Sequence, residues 1–221
     1  MPARVKMVML SLFAGAGAYW FYAKLGFSGV HVPFLGIVEI GYLYIPLFIL
    51  VIVSMANAVN FTDGLDGLAG GLLLFDYAVY AFIAYDRQML ILSAFCMLVV
   101  GTLMAFLWFN IKPARFYMGD VGSLSLGATL GVIAMMTDTL VILLIISGIF
   151  ILEILSVIIQ ITSKKLRNGK KVFRIAPYHH HLEAIGWPEE TVVMRLWLIG
   201  MVLASVGLVV YLAFPFMWSG V

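Results

Sequence analysis

Four polar residues recur at a spacing of three in an otherwise apolar part of the chain. Asn57, Asn60, Asp63 and Asp66 lie in the segment NAVNFTDGLDGLAGG, residues 57–71. On a helical turn this spacing drifts slowly around one side, so the side-chain oxygens project in the same general direction. The segment contains no Lys or Arg to pair with the two carboxylates. Unpaired acids at membrane depth are expected to face a water-filled cavity, a metal or a substrate, although a polar interfacial loop with Asx-type turns is an alternative.

A second polar segment, FNIKPARFYMGDVGSLS at residues 109–125, centres on Asp120. A lone acid in a Gly-rich turn before an apolar run can be a simple helix N-cap. Asn110, Lys112 and Arg115 lie just upstream and favour a larger role. A carboxylate, an amide, basic side chains and free backbone N–H groups at a helix N-terminus together suit a magnesium-bound anionic substrate.

The third polar segment, PYHHHLEAIGW at residues 177–187, carries three consecutive histidines. They cannot share one side of a helix, and in an extended segment only His179 and His181 would point the same way. A zinc site would need further ligands, and the single cysteine, Cys96, falls in the middle of an apolar run, so zinc is the weaker interpretation. Histidines near the other two segments could donate to phosphate oxygens or shuttle protons near neutral pH.

Together these residue types favour phosphoryl transfer. Clustered carboxylates without thiols suit a hard, oxygen-seeking cation, of which magnesium is the usual partner of phosphates. Asn, His, Lys and Arg supply hydrogen-bond donors to an anion, and catalysis at such a site is mostly positioning and charge stabilisation around a metal-bridged pyrophosphate. A site of this kind at a membrane surface implies one soluble and one lipid reactant.

The elements that must position these residues are predicted to be membrane helices. Of the 221 residues, 64% are apolar and 11% are charged, whereas a soluble domain has about 25% charged residues. This composition excludes a water-soluble globule. We predict an all-α, polytopic helical membrane protein of about seven transmembrane helices, with residues 1–221 as a single transmembrane domain. The predicted spans are 7–25, 41–60, 67–86, 89–109, 122–137, 139–162 and 195–216.

The distribution of basic residues predicts the orientation. If the N-terminus is cytoplasmic, alternate threading leaves only Lys24 and Arg87 of the 13 Lys and Arg residues on the outer side. Cytoplasmic loops carry the excess of Lys and Arg in membrane proteins. The sequence therefore predicts a cytoplasmic N-terminus and places all three polar segments on the cytoplasmic side.

Two further acids, Asp76 and Glu153, fall inside the third and sixth predicted spans. Acidic residues within a membrane span indicate a functional site unless another role is shown. In the alternative, structural interpretation, Asp76 bonds to tyrosines within helical reach, and Glu153 bonds to Ser156 or Gln160 on its own helix. Gln160, near the cytoplasmic end of the sixth span, is the better candidate for contact with a substrate.

In this order and at roughly this spacing, the three polar segments resemble those of the polyprenyl-phosphate N-acetylhexosamine-1-phosphate transferase superfamily. The uninterrupted histidines after Pro177 are similar to the branch that transfers phospho-N-acetylmuramoyl-pentapeptide. The resemblance implies that undecaprenyl phosphate attacks the sugar-linked phosphate of UDP-N-acetylmuramoyl-pentapeptide, releasing UMP and forming lipid I for peptidoglycan. The alternatives are a related UDP-N-acetylglucosamine-1-phosphate transferase and an inactive nucleotide-binding membrane remnant. The resemblance also implies the bacterial cytoplasmic membrane, an active face on the cytoplasmic side and a homodimer, with no nucleic-acid partner.

The resemblance further implies roles for individual residues. Asp120 would be the magnesium-binding acid, with the side-chain carbonyl of Asn60 beside the metal. The candidate catalytic residues are Asp63, Asp66, Asp120 and His179. The candidate substrate-binding residues are Asn60, Asn110, Ser123, Gln160, His180 and His181.

One departure from the superfamily pattern affects the expected activity. Members are longer and carry, ahead of the region where this chain begins, an adjacent Asp-Asp pair followed closely by Lys. No Asp-Asp dipeptide occurs in this sequence. We therefore expect the chain to correspond to the C-terminal part of the family fold, to have little or no transferase activity alone, and to regain activity when the preceding spans are added.

Overall fold

A computed structural model describes residues 3–33 and 35–213 as a helical bundle with one β-hairpin. The helices are α1 (Ala3–Ala23), α2 (Tyr44–Thr62), α3 (Leu68–Asp86), α4 (Leu90–Asn110), α5 (Gly119–Met136), α6 (Leu140–Ile146), α7 (Gly148–Leu166), α8 (Tyr178–Ala184) and α9 (Glu189–Ala213). The hairpin strands are β1 (Gly29–Val32) and β2 (Gly36–Glu39), and a 3-10 turn covers Gly41–Leu43.

Six helices are long and apolar enough to cross a membrane, and the pair α6 and α7 raises the number to as many as seven. This confirms the prediction of a polytopic helical membrane protein. The continuous sixth span predicted over 139–162 is wrong, because α6 and α7 meet at an angle of 83°. The predicted end of the last span, at residue 216, lies outside the described residues.

The break between α6 and α7 lies at Ser147, which interacts with a buried acid. The Ser147 hydroxyl donates a 2.6 Å hydrogen bond to Oδ2 of Asp76 on α3, and both side chains are buried. Ser147 immediately precedes α7, but its hydroxyl is used on Asp76 and makes no capping hydrogen bond to that helix. Gly148 allows α9 to approach, since an added Cβ would lie 2.9 Å from Leu203 Cδ1. Asp76 thus has a structural partner, although a different one from the tyrosines that the sequence suggested.

Close helix packing joins α2 and α5, the two helices that carry parts of the first two polar segments. α2 ends at the first polar segment, and α5 begins within the second. At Gly127 of α5, an added Cβ would lie 2.5 Å from the backbone carbonyl oxygen of Met55 on α2. Only a glycine therefore lets the two backbones come this close. This packing fixes the end of α2 relative to the start of α5.

The β-hairpin is an element that the sequence analysis did not predict. β1 and β2 pair antiparallel, with Gly29 opposite Glu39 and Val32 opposite Gly36. The hairpin is attached to the turn between α5 and α6, where the carboxylate of Asp138 accepts from the backbone N–H of His31 at 3.2 Å and lies 2.7 Å from its ring Nδ1. It therefore belongs to the end of the bundle opposite the polar segments.

Candidate functional site

All three polar segments meet at one end of the bundle. The backbone N–H of Gly67 donates to Oδ1 of Asn110 at 3.1 Å, which joins the first segment to the second. Gly64 of the first segment lies against His179 of the third. The structure therefore brings together residues that are separated by more than 100 positions in the chain.

Asn60 connects α2 to the start of α5. Its Nδ2 donates to Oδ1 of Asp120 at 3.0 Å and to Oγ of Ser123 at 2.9 Å. The Ser123 hydroxyl in turn donates to the carbonyl of Gly119, and Lys6 of α1 forms an ion pair with Oδ2 of Asp120. These bonds fix the orientation of the Asn60 amide. Among the described residues, no group donates a hydrogen bond to its Oδ1.

Asp63 is a half-buried carboxylate in the turn after α2. Burial raises the pKa of Asp63 to about 6, and a hydrogen bond from the backbone of Gly119 opposes this shift. The negative charge of Asp120 raises the pKa of Asp63 further. Two carboxylates from different segments are therefore close enough to repel each other, as expected for a site that attracts a cation.

Asp66 and Asn110 hold the loops of the site. Oδ2 of Asp66 accepts a 3.0 Å hydrogen bond from the backbone N–H of Ala114. Asn110 is buried, and its Nδ2 donates to the carbonyl of Phe116 at 3.0 Å while its Oδ1 accepts from Gly67. Both residues thus connect the loop between α4 and α5 to the start of α3. Their predicted roles in substrate binding or catalysis stay predictions.

Lys112 is paired with acids at the start of α9. Its ammonium lies 2.8 Å from Glu189 and 3.1 Å from Glu190. Hydrogen bonds to these two carboxylates raise the pKa of Lys112. Glu189 also accepts the backbone N–H of Asp66 at 3.1 Å, a contact that the sequence analysis missed. Acidic residues stabilise a helix N-terminus, and the two Glu residues after Pro188 were the sequence signal that a helix begins there.

The histidines lie on the short helix α8, and each has different surroundings. His179 is fully buried, whereas His180 and His181 are half-buried. Nδ1 of His180 lies 2.6 Å from Oε2 of Glu183, and Nδ1 of His181 accepts from the backbone N–H of Arg174 at 3.2 Å. As the sequence predicted, the three imidazoles do not share one side of the helix.

The partner of His179 is Glu153, the buried acid of α7. The backbone N–H of His179 donates to the two carboxylate oxygens of Glu153 at 3.2 and 3.3 Å. Nδ1 of the ring lies 3.2 Å from Oε2 of Glu153, at ion-pair distance but outside hydrogen-bond geometry. Neither side chain has exposed surface. The sequence had suggested Ser156 or Gln160 as the partner, because only neighbours on the same helix can be inferred from spacing.

The other ring nitrogen of His179 lies against the turn that follows α2. A Cβ added at Gly64 would be 2.6 Å from Nε2 of His179. This nitrogen is buried and has no hydrogen-bond partner among residues 3–33 and 35–213. His179 therefore places an unpaired ring nitrogen beside the turn that carries Asp63 and Asp66, where it could exchange a hydrogen bond or a proton with a ligand.

Gln160 holds the basic loop between α7 and α8, residues 167–177. Its Oε1 accepts from the backbone N–H groups of Val172 and Phe173, each at 3.0 Å, and its Nε2 donates to the carbonyl of Phe173 at 2.8 Å. These bonds occupy both ends of the amide. Its predicted contact with a substrate stays a prediction.

The donor set of the site matches a hard cation. Among the described residues, no three His, Cys, Asp or Glu side chains are grouped closely enough to hold an ion by themselves. The site does offer the Asp120 carboxylate and the free Oδ1 of Asn60. Magnesium is commonly held by one or two carboxylates together with substrate phosphates. The residues present therefore fit magnesium bound together with a phosphorylated ligand.

The fold and the site define a helical membrane protein with acidic, amide and histidine side chains gathered at one end. Residues 1–138 match the model of glycosyl transferase family 4, and the chain belongs to this family.

Similar proteins carry the name phospho-N-acetylmuramoyl-pentapeptide-transferase. The protein from Geobacillus sp. (strain WCH70) is 43% identical over 192 residues, covering 86% of this chain and 59% of that protein. The protein from Pelagibacter ubique (strain HTCC1062) is 45% identical over 187 residues, covering 78% and 52%. The protein from Thermodesulfovibrio yellowstonii is 41% identical over 228 residues, covering 94% and 63%. The resemblance inferred from the polar segments is confirmed, and the chain spans 52 to 63% of the length of these relatives.

Proposed function

We propose that the chain forms the nucleotide-sugar site of an enzyme that transfers phospho-N-acetylmuramoyl-pentapeptide from UDP to undecaprenyl phosphate. The products are lipid I and UMP. The names of the relatives support this reaction. The observation that carries the proposal is the contact of His179 with Gly64, because it joins the histidine segment to the acidic segment that leads to Asn60 and Asp120.

In this proposal Asp120 and the side-chain carbonyl of Asn60 hold magnesium. The ion would neutralise charge on the diphosphate and orient it. The contacts of Asn60 with Asp120 and Ser123 hold the two residues side by side before a substrate arrives, and joint binding of the ion would require the Asn60 amide to turn its oxygen toward Asp120. Lys6 pairs with Asp120 in the structure and lies where it can also stabilise an incoming phosphate.

The remaining residues bind and orient the reactants. An oxygen of the lipid phosphate forms a bond to the sugar-linked phosphorus, and the bond from this phosphorus to UMP breaks, with the electron pair leaving on the UMP oxygen. Because a phosphate monoester is ionised near neutral pH, the attacking oxygen needs no strong base. The chief task of the protein is then positioning. Nε2 of His179 would donate to a diphosphate oxygen, and Asp63 and Asp66 would line the nucleotide side.

The membrane orientation is part of the proposal. Lys6, Lys112 and the basic loop that Gln160 holds lie at the same end of the bundle as Asp120. An excess of basic residues marks the cytoplasmic side, which is also where a nucleotide-sugar is available. We therefore assign the site to the cytoplasmic face of the bacterial cytoplasmic membrane.

The test compares two acids at opposite ends of α5. Purified protein in detergent is titrated calorimetrically with UDP-N-acetylmuramoyl-pentapeptide, with and without magnesium. UMP release is measured after undecaprenyl phosphate and the preceding spans of a family member are added. Asp120→Asn should weaken magnesium-dependent binding by about a hundredfold. The matched variant Asp138→Asn, at the far end of the helix, should bind like the original protein. Equal binding by both variants, or equal use of UDP-N-acetylglucosamine, would contradict the proposal.

A further inference from the structure

Two polar side chains of α3 hold the short helix α6 at both of its ends. Tyr80 accepts a 3.4 Å hydrogen bond from the hydroxyl of Thr139, the residue before α6. Asp76 accepts the 2.6 Å hydrogen bond from Ser147, the residue after α6. All four side chains are buried, and Asp76 and Tyr80 are about one helical turn apart on α3. α3 therefore fixes where α6 begins and where it ends.

The bond at Ser147 also fixes the start of α7. The backbone N–H of Ser147 donates to the carbonyl of Leu143 at 2.8 Å, and the carbonyl of Ser147 accepts from the N–H of Ile151 at 3.0 Å. Ser147 therefore closes the last turn of α6 and opens the first turn of α7. Because its backbone is bonded into both helices, its contact with Asp76 holds the point at which the chain turns by 83°.

α7 connects this point to the histidine segment. Glu153 lies in the second turn of α7, and its carboxylate accepts from the backbone N–H of His179 at 3.2 and 3.3 Å. Asp76, Ser147, Glu153 and His179 are all buried. They form a continuous series of contacts from α3 to the imidazole that lies against Gly64.

A small change of angle at Ser147 is enough to separate Glu153 from His179. With a rise of about 1.5 Å per residue, Glu153 lies about 9 Å along α7 from Ser147. A tilt of about 10° would therefore displace Glu153 by about 1.6 Å. If α7 tilts away from α8, the 3.2 Å contact with the His179 N–H would exceed hydrogen-bond distance.

We propose that Asp76 is a positioning residue, which sets the angle of α7 through Ser147 and thereby places Glu153 and His179 against the turn at Gly64. An acid is costly within a membrane span. A carboxyl group is, however, a strong acceptor whose hydrogen bonds are directional, whereas apolar packing is not directional. The effect of Asp76 on ligand binding rests on the proposed function, but its effect on the angle of α7 does not.

The first test measures the position of α7 by pulsed electron paramagnetic resonance between pairs of spin labels in detergent. Labels at Ile161→Cys and Leu98→Cys report the α7–α4 distance, and labels at Leu50→Cys and Leu98→Cys report the α2–α4 distance. All three sites are exposed, and the buried Cys96 is replaced by Ala in every sample. Because Ile161 lies about 21 Å along α7 from Ser147, a tilt of about 10° would move it by about 4 Å.

Asp76→Ala and Ser147→Ala should each shift the α7–α4 distance by about 2–4 Å and leave the α2–α4 distance unchanged. Asp76→Asn keeps an acceptor oxygen for Ser147 and should restore the original distance. The matched control is Ser93→Ala, which removes a 2.8 Å hydrogen bond from α4 to the carbonyl of Ala81 on α3. It loses a comparable bond away from α7, so it should leave both distances unchanged.

The second test is calorimetric titration of the unlabelled proteins with UDP-N-acetylmuramoyl-pentapeptide. Asp76→Ala should weaken binding by about tenfold, whereas Asp76→Asn and Ser93→Ala should bind like the original protein. If the original protein does not bind this ligand, the proposed function fails, while a shift of α7 in Asp76→Ala would still support the role of Asp76 in setting its angle.

Three results would overturn the proposal. The first is an unchanged α7–α4 distance in Asp76→Ala and Ser147→Ala, and the second is an equal shift in Ser93→Ala. The third, where the original protein binds the ligand, is a shifted α7 without weaker binding. If Asp76→Ala does not fold, Ser147→Ala decides in its place, because it removes only the hydroxyl oxygen that donates to Asp76.

Discussion

Gly64→Ala should displace His179 and impair the site without unfolding the bundle. The added methyl carbon would lie 2.6 Å from Nε2 of His179, whereas ordinary van der Waals contact begins at 3.4 Å. The imidazole would therefore have to move by about 0.8 Å. Because His179 is fully buried and bonded to Glu153, it cannot turn away freely. A displacement of about 1 Å at a catalytic group can reduce the rate by about a hundredfold.

The matched control for Gly64→Ala is Gly101→Ala on α4, where an added Cβ meets nothing within 4 Å. Both variants are compared by calorimetric titration with the nucleotide-sugar, by thermal unfolding in detergent and, with the preceding spans of a family member added, by UMP release. Gly64→Ala should lose binding or turnover and about 1–3 kcal/mol of stability through overpacking. Gly101→Ala should retain both. If the two variants bind, turn over and unfold alike, His179 does not lie against this turn.

Three other predictions concern the contacts described above. Glu153→Ala removes the acceptor of the buried His179 N–H and should lower the free energy of unfolding by about 1–3 kcal/mol, whereas Glu153→Gln keeps an acceptor oxygen and should cost less; equal losses would contradict this pairing. The raised pKa of Asp63, about 6, means that the folded state holds this proton more tightly than the unfolded state. In magnesium-free buffer, stability should therefore fall as pH rises from about 4 to 6, and thermal unfolding of Asp63→Asn should lack that part of the pH dependence. Ser147→Ala leaves the buried carboxylate of Asp76 without its hydroxyl donor and should cost about 1–3 kcal/mol in denaturant unfolding; the exposed Ser205→Ala is the control and should cost little.

Most of the helices could be predicted because the signal for a membrane span is local. A run of apolar residues that matches the bilayer thickness needs no knowledge of distant residues. The break at Ser147 was missed for the same reason, since hydropathy stays high across residues 140–161. The partner of Ser147 is Asp76, which lies 71 positions earlier. The hairpin was missed because its strands are only four residues long.

The site residues could be proposed because burying polar side chains in a membrane protein costs free energy. Acids, amides and histidines are rare in a chain of this composition, and each must be stabilised by a partner, water or a ligand. The sequence therefore indicated which residue types were significant and that they gather at one end. It indicated wrong partners for Glu153 and Asp76, because spacing reveals only neighbours on the same helix. It also did not reveal that Gln160 is bonded to the backbone of the loop that follows its helix, α7.

The sequence by itself determined the class of the protein, the approximate spans and the residues available for chemistry. These follow from sums over neighbouring residues, such as hydropathy, charge and length. Only the tertiary structure decided that Asn60 orients Asp120, that Glu153 holds His179 and that Gly64 makes room for its ring. Each of these contacts requires two groups to lie within a few ångströms. Such proximity depends on how the helices pack, as at Gly127 against Met55, and not on the local sequence around either residue.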